Sequence, residues 1–257
     1  MLRAECHGTF RGTRASGCVY SVPVVGSVRV RQRLFGERAL EFDPQFFVAT
    51  VIAFVLAITI HEFMHAWSAF QLGDTTAASQ GRITLNPIAH FDPLGFIFMI
   101  LLALGIGFIA WGRPVPVNPN RLRFGKIGYS LTALAGPVSN LVLATVMIIP
   151  IRFTDVELVG FSGLVASQII FLNLLLAAFN LIPIPPLDGS KILTGFLPDF
   201  WYPYLARLEQ YGFGIILVII LVGGFTGNSL IFEMYRPVLD LLWDVIVGPT
   251  DLAGYRR

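Results

Sequence analysis

The sequence predicts an all-α polytopic membrane protein with about five to six membrane segments, one of them re-entrant with an extended return strand. Three observations carry that prediction. Of 257 residues, 55% are hydrophobic and only 13% are charged, where soluble domains carry about a quarter. The mean hydropathy is +0.71. Apolar runs of bilayer length recur from Phe46 onward. A net charge of +2 is too small to argue for nucleic acid, and no basic stripe with interleaved aromatics is present. Cys6 and Cys18 are the only cysteines; both lie in the N-terminal tail and cannot build a four-thiolate zinc site.

Along the chain, residues 1–43 hold seven arginines with scattered Gly and Ser and no apolar stretch of signal-peptide length, so they read as a poorly ordered tail. Residues 44–200 read as the functional core and 201–257 as a C-terminal membrane helix or helices with a tail. Segment one runs from Phe46 to Phe70, about 25 residues and enough to cross a bilayer. A polar loop, Gln71 to Asp92, follows, and Asp92 is placed to cap a helix beginning at Pro93. Segment two is Leu94 to Trp111, divided by Gly105 and Gly107; its helical part, to Leu104, rises only about 16 Å, half the hydrocarbon thickness. Segment three (Tyr129 to Ile149), segment four (Leu164 to Ile182) and segment five (Leu205 to Val222) are long enough to span. Segment six, Ser229 to Val247, carries Glu233, Arg236, Asp240 and Asp244, so an interfacial helix competes with a span there.

Segment one contains the chemistry, in the stretch HEFMH. His61 and His65 are four apart and share one helix face, so both imidazoles can bind one metal ion. Glu62 lies between them, which gives two nitrogen ligands for Zn²⁺ and a general base within one turn. Zinc at such a site lowers the pKa of water to about 7 and polarises a carbonyl. A single histidine in a span is ordinarily a packing residue. Three ionisable groups in one turn of a span need mutual compensation, and a divalent cation supplies it. A catalytic zinc takes a third protein ligand. Asp188 is the best candidate, because Pro183, Pro185 and Pro186 unwind the chain after segment four and Gly189 permits a tight turn.

HEFMH on a membrane helix, then Ala135-Gly136-Pro137, then Asn180-Leu181-Ile182-Pro183 through Asp188-Gly189, together resemble the site-2 protease family over roughly residues 42–197. The stretches GRITLNPIAHFDP and GRPVPVNP are similar to those of its compact bacterial members. The resemblance implies one Zn²⁺ per chain held by His61, His65 and Asp188, and Glu62 as general base and acid. It further implies Asn180 at the substrate or oxyanion, and hydrolysis within transmembrane segments of single-span membrane proteins. The expected departures from the family's pattern are the tail before Phe42 and the lack of a PDZ-like or nucleotide-sensing regulatory domain in this sequence.

Geometry constrains the spans further. The metal lies near the exit of segment one and Asp188 at the exit of segment four, so segment two must turn back at Gly105 and Gly107 and return through Trp111 to Val117. That extended return is expected to offer an edge for an unwound substrate strand. The family resemblance places the metal-bearing end at the cytoplasmic face of a multi-pass cell-membrane protein, with Arg113, Arg121, Arg123 and Lys126 inside; the tail's arginines argue the opposite and are set aside with the tail. His90 is a further candidate for substrate stabilisation or for a partner of a ligand, and Asn140 for a site role or for bonding across helices. The rival readings are a membrane metal transporter or carrier using the His/Glu/Asp cluster as an ion site, and an unrelated intramembrane metalloenzyme with a different third ligand. The oligomeric state is not written in the sequence.

Overall fold

The computed structural model describes residues 4–5, 19–20, 42–104, 110–153, 160–226 and 230–248. Apart from a two-residue antiparallel pairing of Ala4–Glu5 with Val19–Tyr20 in the tail, the described regular structure is helical. The rest of the tail, and the expected turn at Gly105 and Gly107, lie outside the described residues.

Helix α1 spans Pro44–Gln71; the Asp43 side chain accepts from the Gln45 and Phe46 N–H groups, and Pro44 occupies the first turn, where its missing donor costs nothing. Helices α4 (Lys126–Phe153) and α5 (Gly160–Asn180) complete a set of three that are long and apolar enough to cross a membrane. They form one bundle. Thr50 meets Gln168, and Asn140 bridges Ala57 to Asn173, so α1 and α5 run parallel and α4 runs against both. Small residues let the backbones close: Ala49, Ala53 and Ala57 on α1, Ala133, Gly136 and Ala144 on α4, and Ala177 and Ala178 on α5 are buried. In lipid, where no hydrophobic force separates helix from tail, such close packing and interhelical amide bonds hold helices together.

Between α1 and α4 the chain leaves and returns at the same end of the bundle. The short α2 (Thr76–Ser79) follows α1, and α3 (Pro93–Ala103), capped by Asp92 as expected, has 11 residues and cannot cross. Residues 110–118 form neither helix nor strand. Arg113 N–H then bonds to the His90 carbonyl and Arg123 N–H to the Leu72 carbonyl, at 2.9 and 2.7 Å. Trp111 backbone packs on Gly95 more closely than any side chain there would allow. The described part of segment two is therefore a half-length helix, and residues 110–118 run back toward the end of α1 without forming the expected strand.

Two boundaries differ from expectation. Segment three begins at Lys126 rather than Tyr129, and Ala135-Gly136-Pro137 lies in the second and third turns of the expected span, inside α4. Segment five is broken: α7 (Tyr202–Gln210) ends in the turn at Tyr211, and α8 (Gly212–Thr226) starts afresh. At the break, Gly212 packs against Pro186, whose N a side chain there would meet at 2.6 Å, and Arg207 and Glu209 on α7 are exposed. Helix α8, with 15 residues, rises only about 22 Å. Helix α9 (Leu230–Ile246) lies along α5, with Tyr235 at Phe179 and Val247 at Ile148 and Ile170.

Candidate active site

The unwound chain after α5 positions the third ligand. Residues 181–187 leave the helix at the prolines, and Gly189 sits against the Leu181 and Ile182 carbonyls, where a side chain could not fit. Helix α6 (Asp188–Thr194) starts there, with the Asp188 carboxylate turned into the bundle. Its Oδ2 lies 3.1 Å from His61 Nε2 and 3.0 Å from His65 Nε2, and the two Nε2 atoms are 3.0 Å apart. All three residues are buried.

The hydrogen bonds behind the ring nitrogens decide what this cluster can hold. His61 Nδ1 lies 2.7 Å from Asn140 Oδ1, whose Nδ2 is committed as donor to Ala57 and Asn173. His65 Nδ1 lies 2.8 Å from the Thr132 carbonyl. Both partners are acceptors, so each imidazole carries its proton on Nδ1 and turns a lone pair on Nε2 inward. Two lone pairs and a carboxylate oxygen then face one point with no proton between them, an arrangement only a cation relieves. Tetrahedral zinc with ligands at about 2.0–2.2 Å sets its ligand atoms about 3.3 Å apart, close to the separations seen. The residues fit the metal.

Glu62 is next to this cluster and buried; its Oε2 accepts from the Val115 N–H at 3.0 Å. The second oxygen of Asp188, Oδ1, faces Lys191 Nζ at 3.5 Å, and Lys191 lies 4.0 Å from Glu209. Burial alone would lower the Lys191 pKa, but the carboxylate of Asp188, with Tyr129 and Glu209 behind it, raises it instead. Asp188 thus presents one oxygen to the histidines while a lysine neutralises the other.

Asn140 is wholly buried, and its contacts place it behind His61 as an orienting partner. Asn180 turns its amide back to the Leu176 carbonyl one turn earlier. His90 bonds the Thr84 carbonyl at 2.8 Å, within the loop it closes. Sequence reasoning missed several contributors. Gly136 carries no side chain because a Cβ there would lie 2.5 Å from His65 Cε1 and 2.7 Å from His61 Cε1; its setting between Ala135 and Pro137 was the available signal. Lys191 is three residues after Asp188, one helical turn, and was legible by that spacing. The Thr132 carbonyl and the Val115 N–H are backbone groups and leave no trace in sequence.

A pair of histidines and a carboxylate able to hold a metal ion, with a glutamate beside them inside a bundle of membrane-length helices, defines a membrane-embedded metal site. The sequence profile described as peptidase family M50 matches residues 160–223. The chain is 36% identical over 190 residues, 71% of its length, to "Putative zinc metalloprotease YwhC" of Bacillus subtilis (strain 168), covering 84% of that protein. It is 32% identical over 193 residues to "Putative zinc metalloprotease Rip2" of Mycolicibacterium smegmatis (strain ATCC 700084 / mc(2)155), 73% of this chain and 71% of the other. To "Putative zinc metalloprotease MJ0611" of Methanocaldococcus jannaschii it is 34% identical over 168 residues, 64% of this chain and 75% of the other. The chain belongs to peptidase family M50, the site-2 protease family, and is a zinc metalloprotease. No solved structure matches it. That membership displaces the transporter reading of the same cluster.

Proposed function

We propose that this zinc metalloprotease hydrolyses peptide bonds within or near the transmembrane segments of single-span membrane proteins. In this reading it acts in regulated intramembrane proteolysis at the cell membrane, with its site toward the cytoplasmic face. The observation that carries the reading is where the ligand atoms converge. His61, His65 and Asp188 offer atoms within 4.8 Å of one another, on or against α1 at about 9–15 Å inside its C-terminal end. A carboxylate base at that depth serves a substrate that is itself in the membrane. Arg121 and Arg123 are exposed beside Gly73, at the histidine-bearing end of α1, the end that the positive-inside preference places in the cytoplasm.

Zinc, when bound, supplies a Lewis acid that polarises the scissile carbonyl and acidifies water. The chain's own groups do the rest. Asn140 and the Thr132 carbonyl fix the tautomer and the plane of each ligand ring. Glu62 takes the proton of the attacking water and passes it to the leaving amide nitrogen as the C–N bond breaks. Lys191 holds Asp188 to a single inward oxygen.

The test is cleavage of a single-span substrate by the full chain in liposomes, with the cut mapped by mass spectrometry. The wild type is expected to cut inside or beside the apolar stretch. Glu62→Gln is expected to keep one zinc per chain and to lose at least about 100-fold in rate, the low end of general acid–base contributions. Cuts confined to water-soluble loops, or an active Glu62→Gln enzyme, would refute the proposal.

A further inference from the structure

The peptide unit joining Pro114 to Val115 lies between two opposite charges. On its oxygen side, Arg82 Nη1 donates to the Pro114 carbonyl at 3.3 Å; on its nitrogen side, the Val115 N–H donates to Glu62 Oε2 at 3.0 Å. The second amino group of Arg82 donates to the Arg113 carbonyl and faces His90 Nδ1 at 3.4 Å. His90 is itself held, its Nε2 2.8 Å from the Thr84 carbonyl and its own carbonyl accepting the Arg113 N–H. Gly112 locks the arrangement to α1, since a side chain there would meet Ile58 at 2.6 Å and the His90 carbonyl at 3.2 Å.

Arg82 is only 5% exposed, a buried cation with one donor from each terminal amino group spent on a carbonyl of the return segment and its Nε–H left without a partner among the described residues. Burial lowers its pKa and Glu62 opposes that shift; a guanidinium stays charged regardless. A cation on a carbonyl oxygen polarises the whole amide, and hydrogen bonds in such a chain strengthen one another by about 10–30% each. The N–H that meets Glu62 is therefore a better donor, and a more rigidly placed one, than an isolated amide would be. A lysine in place of Arg82 has one nitrogen where the fork has two, and cannot hold both carbonyls and His90 in this geometry.

We infer that Arg82 is the positioning residue for the catalytic carboxylate, acting through the Pro114–Val115 peptide to fix Glu62 Oε2 and leave its other oxygen for proton transfer. The inference rests on Glu62 being the proton carrier, and its test separates the two. The full chain, zinc-loaded in nanodiscs, is labelled with ¹⁵N-valine, and the Val115 amide resonance is followed alongside kcat, KM and zinc content on a single-span substrate. Arg82→Met is expected to move the Val115 amide proton upfield and to lower kcat about 10- to 100-fold, the range for residues behind a metal site. KM should stay within about twofold, and one zinc per chain should remain. Glu62→Gln should move the same resonance, and the two shifts should not add in the double variant.

An unmoved Val115 resonance in Arg82→Met, or a kcat loss matched by zinc loss, overturns the inference. If Arg82→Met does not fold, Arg82→Lys decides: an upfield Val115 shift with reduced kcat supports the role, and wild-type values for both overturn it. A Glu62→Gln enzyme that cleaves normally while Val115 still answers to Arg82 would sink the general-base reading and leave the peptide bridge standing.

Discussion

Gly136→Ala perturbs the site with one carbon atom. The added Cβ is fixed to the α4 backbone and would stand 2.5 Å from His65 Cε1, where ordinary contact begins at 3.4 Å. Either α4 or the imidazoles must give by about 0.9 Å. If α4 moves, the 2.7 Å bond between His61 Nδ1 and Asn140 stretches to about 3.6 Å, beyond hydrogen-bonding range. If the rings move, the Nε2 atoms leave their common focus. Overpacking of this kind costs about 1–3 kcal/mol, and losing the orientation of a ligand weakens metal binding about 10- to 100-fold, or about 1.4–2.8 kcal/mol. The assay is competition for zinc between purified protein and a fluorescent chelator, with Gly214→Ala as control because nothing lies within 4 Å of a Cβ there. Gly136→Ala should release zinc at a chelator concentration about 10- to 100-fold lower than wild type, and the control should not differ. Wild-type affinity in Gly136→Ala would refute the claim that α4 is drawn onto the histidines as closely as a glycine allows.

Asn140→Ala removes the acceptor behind His61 and leaves Asn173 without its amide partner; zinc affinity should fall about 10- to 100-fold, read by the same competition, with the helical circular dichroism unchanged. Asp74 is buried, a state that raises a carboxyl pKa, but donors from Thr76 and the Asn118 N–H outweigh burial and lower it. Its contribution is therefore complete above the ordinary carboxyl value of about 3.9 and is lost as pH falls through the lower folded value; amide exchange in residues 113–118 should be pH-independent, after correction for intrinsic rates, from pH 7 to about 5 and accelerate only in strong acid. Asp74→Asn, which turns an amide donor on the Asn118 N–H, should cost about 1–3 kcal/mol and open the same residues at neutral pH.

The features legible in the sequence are those set by one element alone. HEFMH declares itself through i, i+4 spacing in an apolar run, and the unwinding before Asp188 through three prolines in four residues. The half-length of α3 followed from counting residues, and the direction of the return from requiring both ligand-bearing ends on one side. What was not legible depends on a neighbour. The break between α7 and α8 falls where Gly212 packs against Pro186, a contact with a residue far along the chain, and hydropathy, which sees only the run from Leu205 to Val222, joins the two. Asn140 and Asn180 are both amides on spanning helices, and no local property says that one sits behind His61 while the other bonds its own helix. Arg82 is twenty residues from Glu62, and only the fold brings it to the peptide that Glu62 accepts from.

The return segment raises one further constraint on how a substrate is held. The sequence suggested a strand edge to which an unwound segment could add, and such addition needs alternating donors and acceptors along the edge. From 113 to 116 no donor is left: the Arg113 and Val115 N–H groups are committed to His90 and Glu62, and Pro114 and Pro116 have none. The carbonyls of Arg113 and Pro114 already receive Arg82. An incoming chain alongside these residues therefore finds acceptors with a lone pair to spare and nothing that donates, so it must satisfy its own carbonyls elsewhere. Zinc held by His61, His65 and Asp188 would supply one such partner, for the scissile carbonyl alone. A substrate that presents N–H groups to Pro114 and Pro116 and one carbonyl to the metal is matched to this edge. One already paired as a helix is not, because its N–H groups are spent internally. If the proposed substrate adds alongside this segment, the donor count of residues 113–116 favours one that is locally unwound over one still paired as a helix.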